Sequence, residues 1–101
     1  MPSFRATLQI TGLRSGHAPE EVMDMAVAAV AAAHVVEANQ LDIVAGTPRI
    51  SVRFMVEASE YDAENQSARN AAAAMAHGVN QVAITGAVRS ARRSAGKWLL
   101  L

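Results

Sequence analysis

Two stretches of the chain alternate apolar and polar residues, which is the pattern of a strand with one buried face. In the stretch 49–58 the alternate apolar residues are Ile50, Val52, Phe54, Val56 and Ala58. In the stretch 4–11 they are Phe4, Ala6, Leu8 and Ile10. Because successive side chains of a strand point to opposite faces, both stretches are predicted to be half-buried strands.

An alanine-rich segment after the first strand predicts a helix that covers the apolar face. Pro19 suits the first helical turn because its missing N–H would have had no partner there. Glu20 and Glu21 follow, where the helix dipole favours negative charge. The apolar run continues through residues 25–36, and Asn39 is predicted to end the helix.

A second alanine-rich segment predicts another helix, from Tyr61 to His77. Ser59 and Asp62 have the spacing of a capping box at its start. Gly78 stands where a C-terminal glycine cap is expected. Both inner stripes consist mostly of alanine, so we expect the helices to pack close to the sheet.

Two shorter stretches complete the predicted sheet. Residues 41–45 read as a second strand, and residues 46–48 contain the Gly and Pro that favour a hairpin turn. Residues 81–88 read as the last strand, with Val82, Ile84 and Val88 on the apolar side. The element order therefore predicts an α+β fold, a ferredoxin-like βαββαβ plait with a four-stranded antiparallel sheet and two helices on one face. In this fold the first and third strands lie in the middle of the sheet.

We expect residues 1–89 to form this single domain and residues 90–101 to form a basic and apolar C-terminal tail. The helices would leave one face of the sheet open. The residues predicted on that open face are Arg5, Thr7, Gln9, Thr11, Ser51, Arg53, Met55, Glu57, Gln81, Ala83, Thr85 and Ala87. The face lacks the aromatic side chains on which RNA-recognition plaits stack bases, because alternation turns Phe4 and Phe54 inward.

Composition narrows the class of protein. The 101 residues are 51% hydrophobic and 18% charged, which is typical of one folded domain. The absence of cysteine removes disulfides, thiolate nucleophiles and cysteine metal sites. The apolar run 25–36 is too short to cross a bilayer and follows acidic residues, so we expect a cytoplasmic protein.

Charge is distributed unevenly although the formal net charge is zero. All nine acidic residues lie before residue 65, and the tail is basic and then apolar. Its cations are Arg89, Arg92, Arg93 and Lys97, and its apolar residues are Trp98, Leu99, Leu100 and Leu101. The tail has three interpretations: a basic arm on nucleic acid, a membrane-surface anchor, or a short extra strand or plug that docks on this chain or a neighbour.

No catalytic set is evident, since the chain lacks a nucleophile elbow and any His-Glu-x-x-His pair. Neither a metal nor a cofactor is predicted. Arg14 and Ser15, in the glycine-containing loop before the first helix, form a candidate site for a small anion. The spacing of Gly12 and Gly16 does not match a nucleotide-binding fingerprint.

The leading functional hypothesis is a small non-enzymatic module for self-association or protein interaction. Its contact residues would be Trp98, Leu99, Leu100, Leu101 and Met55. The first alternative is nucleic-acid association through Arg89, Arg92, Arg93 and Lys97. The second is a regulatory domain that binds a small anion at Arg14 and Ser15. The expected partner is therefore a second copy or another protein, with nucleic acid as the alternative, and a membrane is not expected.

Overall fold

A computed structural model describes residues 1–101 as five strands and two helices. In chain order they are β1 (Ser3–Leu13), α1 (Pro19–Ala31), β2 (Val35–Val44), β3 (Thr47–Met55), α2 (Tyr61–Val79), β4 (Ala83–Ser94) and β5 (Lys97–Leu100). Neither helix is long and apolar enough to cross a membrane.

The strands form one antiparallel sheet in the order β2-β3-β1-β4-β5, and both helices pack on one face of it. The predicted α+β class is confirmed, and β1 and β3 lie in the interior of the sheet as expected. The predicted strand number of four is wrong. Residues 97–100 pair with β4 and add a fifth strand at the edge.

The core lies between the sheet and the helices. Phe4, Leu8 and Phe54 are fully buried, and the rings of Phe4 and Phe54 stack with centroids 6.1 Å apart. The helices contribute small side chains to the same cluster, with Ala26 from α1 and Ala68 from α2 fully buried. The alternating pattern of β1 and β3 therefore identified the buried face correctly.

The first helix is shorter than predicted. It ends at Ala31, and the residues from Val35 onward form β2. The β-branched Val35 and Val36 suit a strand, and they pair there with Met55 and Phe54 of β3. Asn39, the predicted helix stop, lies in the middle of β2. Val35 and Val36 therefore form a strand that pairs with β3, although their side chains continue the apolar pattern of α1.

The ends of α2 also differ from the prediction. No side chain caps its first turn, and the backbone N–H of Ser59 instead donates to Oε2 of Glu64 at 2.9 Å. Gly78 lies inside the helix without a positive φ. A Cβ at Gly78 would stand 3.4 Å from the Cβ of Ala29, so this glycine permits close contact between the two helices.

The last predicted strand, β4, is longer than expected, and its pairing with β1 is irregular. Register shifts lie between the β1 residues Leu8 and Ile10 and between Ile10 and Gly12. Ala83 is buried, although it was predicted on the open face, and Ile84, predicted inward, is half exposed. Val88 lies opposite Leu8 on the helix side, as predicted, but its side chain is 41% exposed.

Both hairpins use the same turn. Ala45 and Gly46 join β2 to β3, and Ala95 and Gly96 join β4 to β5. All four residues have positive φ, between 49° and 79°. Two-residue turns with this geometry match the right-handed twist of paired strands. The second turn folds the chain back so that the predicted tail becomes part of the sheet.

Candidate functional site

The open face of the sheet gathers five arginines, which we call the arginine face: Arg5, Arg49, Arg53, Arg89 and Arg93. They come from the three central strands β1, β3 and β4. In β1 and β3 they occupy the positions that alternate with the core residues. Since paired residues share a face of the sheet, the register extends this side to Ala91, opposite Arg5, and to Arg89, opposite Thr7.

The arginines form two rows on either side of β1. Arg49 and Arg53 are four residues apart on β3, as are Arg89 and Arg93 on β4. Each pair therefore spans about 13 Å along its strand. Arg5 of β1 lies between the rows and directly opposite Arg53. The positive charge thus extends over a strip and is not confined to one point.

Trp98 of β5 lies among three of these side chains. Its ring centroid is 4.7 Å from the Cζ of Arg5, 5.0 Å from that of Arg93 and 5.5 Å from that of Arg53. These distances are those of cation–π contacts. Trp98 reaches this position because it pairs with Arg93 across the β4–β5 hairpin. The indole therefore holds guanidinium groups from three strands close together.

The arginine face is concave. Residues from all five strands line a cavity of about 270 Å³, from Asp42 and Val44 of β2 to Leu100 of β5. A second cavity of about 230 Å³ lies between β2 and Trp98. Both cavities are lined by Arg5 and Ser51. The two cavities therefore adjoin at the centre of the sheet.

The positive charge of the arginine face is only partly neutralised. Glu37 approaches the Nε of Arg53 at 3.7 Å, and Asp42 pairs with Arg49 in the register of β2 and β3. The Nε atoms of Arg5, Arg49 and Arg53 are shielded from solvent and have no hydrogen-bond partner. Like charges directly opposed across strands are unfavourable, as at Arg5 and Arg53. An anion on this face would relieve that repulsion.

Arg92 shows the opposite arrangement on the helix side of β4. It donates to Oε1 of Glu64 at 2.8 Å and to Oδ1 of Asn65 at 3.0 Å, both from α2. The hydrogen bond from the Ser59 backbone and the bond from Arg92 hold the pKa of the Glu64 carboxyl below its ordinary value of 4.5. This ion pair fixes β4 to α2 and leaves Arg92 unavailable to a ligand.

The structure divides the predicted basic tail between two sides of the sheet. Arg89 and Arg93 belong to the arginine face, whereas Arg92 and Lys97 lie on the helix side. The separation follows from alternation along β4 and β5. The four cations therefore do not form one basic arm.

The predicted anion loop is tied to the end of α2. Arg14 donates from Nε to the Asn80 carbonyl oxygen at 2.6 Å and from Nη2 to the side-chain oxygen of Asn80 at 3.1 Å. Ser15 is exposed in the adjacent turn. The structure therefore does not bring Arg14 and Ser15 near the arginine face.

The apolar end of the chain docks as a strand of its own sheet, which was one of the predicted interpretations. Trp98 and Leu100 lie on the open side, Leu99 lies on the helix side, and the N–H of Leu101 donates to the Ser90 carbonyl at 2.9 Å. Leu99 and Leu100 remain exposed. Met55 lies on the open face, opposite Val35 of the edge strand β2. Self-association through these residues stays a prediction.

The three histidines lie apart. His17 contacts Oε2 of Glu21 at 2.6 Å, and the ring of His34 packs 5.5 Å from that of Phe54. His77 lies in the last turn of α2, as predicted.

Sequence reasoning missed the role of Trp98 and left Arg49 out of the open face. Arg49 alternates with Ser51 and Arg53 in the predicted strand 49–58, so the pattern already placed it on the polar side. Trp98 could be placed only with the β4–β5 hairpin, for which the Ala95-Gly96 pair was the available signal.

No protein-family model, no curated protein and no solved structure matches this chain.

Proposed function

We propose that this chain is a ferredoxin-like plait extended by a fifth strand, and that its arginine face binds single-stranded nucleic acid without catalysing a reaction. One observation carries the proposal: five arginines lie on one concave face, and the guanidinium groups of three of them contact a single indole ring. A guanidinium matches the geometry of a phosphate oxygen pair, and each phosphate that is neutralised releases counterions.

The shape of the face favours a single strand over a duplex. The adjoining cavities of about 270 and 230 Å³ are lined by side chains from every strand, and they suit an extended chain whose nucleotides enter one at a time. A duplex is stiff and presents a convex surface, so it would touch only the rim. Single-strand binding proteins combine a positive groove with aromatic side chains, and both features occur here.

Trp98 has two roles in this proposal. It positions Arg5, Arg53 and Arg93 by contact with their guanidinium groups. It is also only partly buried, so a base can pack on what remains exposed of the ring. The aromatic platform missing from β1 and β3 is thus supplied by β5.

The same charge argues against stacking two copies of the molecule face to face. Such a contact would bring two clusters of arginines together with few carboxylates to pair them. Like-charge contacts at an interface are strongly unfavourable. Nucleic acid therefore satisfies the arginine face better than a second copy of it does.

The experiment measures affinity for labelled single-stranded DNA and RNA of 15 nucleotides by fluorescence anisotropy, with the matching duplex as comparison. Trp98 is the only tryptophan, so quenching of its emission reports binding at this face independently. We expect both single strands to bind more tightly than the duplex, with affinity that falls steeply as salt rises. Equal affinity for the duplex would contradict the single-strand assignment. Absence of binding at low salt would overturn the proposal.

Matched variants test the location of the site. Replacing Arg5 and Arg53 by Ala should weaken binding about tenfold or more and reduce the slope of log K against log salt by about 0.7 for each phosphate that is no longer neutralised. Arg69→Ala is the control, since it removes the same kind of charge from the exposed surface of α2. An equal loss of affinity per charge removed in Arg69→Ala would show that binding depends on overall charge and not on the arginine face.

A further inference from the structure

The edge strand β2 presents an unpaired row of backbone groups. Ala45 and Gly46 form a two-residue turn, so the flanking Val44 and Thr47 are a hydrogen-bonded pair. Every second residue of β2, from Val44 back to Ala38, therefore directs its N–H and C=O groups toward β3. The residues between them, Asn39, Leu41 and Ile43, direct theirs outward, where no strand of this chain lies.

This edge has few of the features that usually prevent pairing with another chain. β2 contains no Lys, Arg or Pro, and its only irregularity is the bulge at Glu37. Leu41 is 59% exposed and Ile43 is 64% exposed. The opposite edge, β5, is only four residues long and begins with Lys97. Of the two edges, β2 is thus the longer one, and it carries no cation.

We propose that two copies of this chain pair through β2 in antiparallel register about a two-fold axis at Leu41. In this register Leu41 faces the partner's Leu41, and Ile43 faces the partner's Asn39. These are the outward-directed residues, so about six backbone hydrogen bonds form. On the open side, Asp42 lies opposite the partner's Gln40, an amide that can donate to its carboxylate.

Other registers are less favourable. An axis at Asp42 would place two carboxylates directly opposite each other, which is destabilising. An axis at Asn39 would run the partner strand into the bulge that follows Val36. An axis at Gln40 would align fewer of the outward-directed residues before the same bulge is reached. Among residues 39–42, charge and backbone geometry therefore favour an axis at Leu41.

The side chains at this axis continue an apolar surface that already exists. Leu41 lies on the helix side of β2, opposite Ile50. It lines a groove of about 360 Å³ together with Ile10, Leu13 and Met23. Contact with the partner's Leu41 would extend the apolar lining across the axis. Burial of these exposed side chains would stabilise the dimer beyond its backbone hydrogen bonds.

The symmetry fixes the arrangement of the faces. A two-fold axis between two strands of one continuous sheet is perpendicular to that sheet. Both helix layers therefore lie on one side and both arginine faces lie on the other. The inference does not rest on nucleic-acid binding, although such a dimer would present one wider basic surface.

The first test measures mass by sedimentation equilibrium on the full chain without nucleic acid. We expect a concentration-dependent monomer–dimer equilibrium that Leu41→Arg shifts to monomer by at least tenfold in Kd. Leu99→Arg is the matched control on the β5 edge and should leave the equilibrium unchanged. A monomer at all soluble concentrations, or an equal effect of Leu99→Arg, would overturn the proposal. Growth beyond dimers would overturn it too, because it would indicate head-to-tail pairing of β2 with β5.

A second test does not depend on disrupting the interface. The chain contains no cysteine, so Leu41→Cys and Leu99→Cys each introduce one thiol. Under mild oxidation we expect Leu41→Cys to form a disulfide dimer at least tenfold faster than Leu99→Cys. Equal rates would contradict the proposed axis. If the groove beside Leu41 instead binds a small apolar molecule, the protein would remain monomeric and the two disulfides would form at equal rates. That result would contradict the proposal.

Discussion

Arg92 and Arg93 are adjacent in the chain and lie on opposite sides of β4. Arg92 is bonded to Glu64 and Asn65, and its guanidinium lies 4.3 Å from the ring of Tyr61. Arg93 is exposed, and its guanidinium contacts the ring of Trp98. Arginine thus has two different roles in this sheet. On the helix side arginine stabilises the fold, and on the open side its charge remains available.

The same difference holds for the two faces of the sheet as a whole. The helix side buries a continuous apolar cluster of 17 residues. The open side carries three arginines whose shielded Nε atoms have no hydrogen-bond partner. Substitutions on the helix side should therefore lower the free energy of unfolding, and substitutions on the open side should weaken the proposed binding of nucleic acid.

The largest expected effect comes from Phe54→Ala on the helix side. Phe54 is fully buried against Phe4 and His34, so its truncation should cost about 3–5 kcal/mol in the free energy of unfolding. Met55→Ala, one residue further and on the open face, is the control and should cost less than about 1 kcal/mol. Urea denaturation measures both. Similar losses of stability would show that the two faces do not differ as described.

The next effect separates the two adjacent arginines. Arg92→Ala leaves the Glu64 carboxylate buried without its cation, so the melting temperature should fall further than for any other single arginine. Arg93→Ala should change the free energy of unfolding by no more than about 0.5 kcal/mol, the usual range for an exposed position. Thermal unfolding followed by circular dichroism measures both variants. An equal decrease for Arg93→Ala would contradict the assignment of the two roles.

A smaller effect concerns pH. Because the native pKa of Glu64 is lowered, its contribution to stability is complete above its ordinary value of 4.5. The contribution is lost as pH falls from 4.5 to the lower native pKa. The free energy of unfolding should therefore decrease less steeply over this range in Glu64→Gln than in the native protein. Identical slopes would show that the Ser59 and Arg92 contacts do not stabilise the ionised carboxyl.

The smallest effect is expected from salt. Salt screens the repulsion within the arginine face, so added NaCl should raise the free energy of unfolding by at most about 0.5 kcal/mol. Arg5→Ala removes the charge opposite Arg53 and should flatten this dependence. Arg69→Ala is the control with the same change in charge. A flattened dependence in the control would assign the effect to net charge.

Much of the fold could be predicted from residue patterns because β1 and β3 each have one buried face. Their alternation identified both strands, their inner residues and most of the open face. β2 was predicted only in part, as a strand over residues 41–45, and its first half was assigned to the helix. Its residues Val35 and Val36 extend the apolar run of α1, and most of its side chains are exposed at the edge, so no alternation marks it.

The site could be predicted only in part. Arg5 and Arg53 were placed on the open face by alternation, but Arg89 and Arg93 were assigned to a tail. The error arose because β4 contains register shifts and two turns of the sheet depend on alanine at positive φ. Alanine is unusual in that conformation, so Ala95-Gly96 gave a weaker signal than Asn-Gly would have.

The sheet also separates charge across its thickness. The helices on one side carry five acidic residues against one arginine, Arg69, although the charge of Glu64 is paired with Arg92, and the other side carries the arginine face. A molecule with zero formal net charge can therefore possess an electric dipole perpendicular to its sheet. Within a Debye length of a polyanion, about 10 Å at 0.1 M salt, the resulting torque would turn the arginines toward it before contact. Near neutral pH the protein should consequently be retained weakly by both cation- and anion-exchange resins.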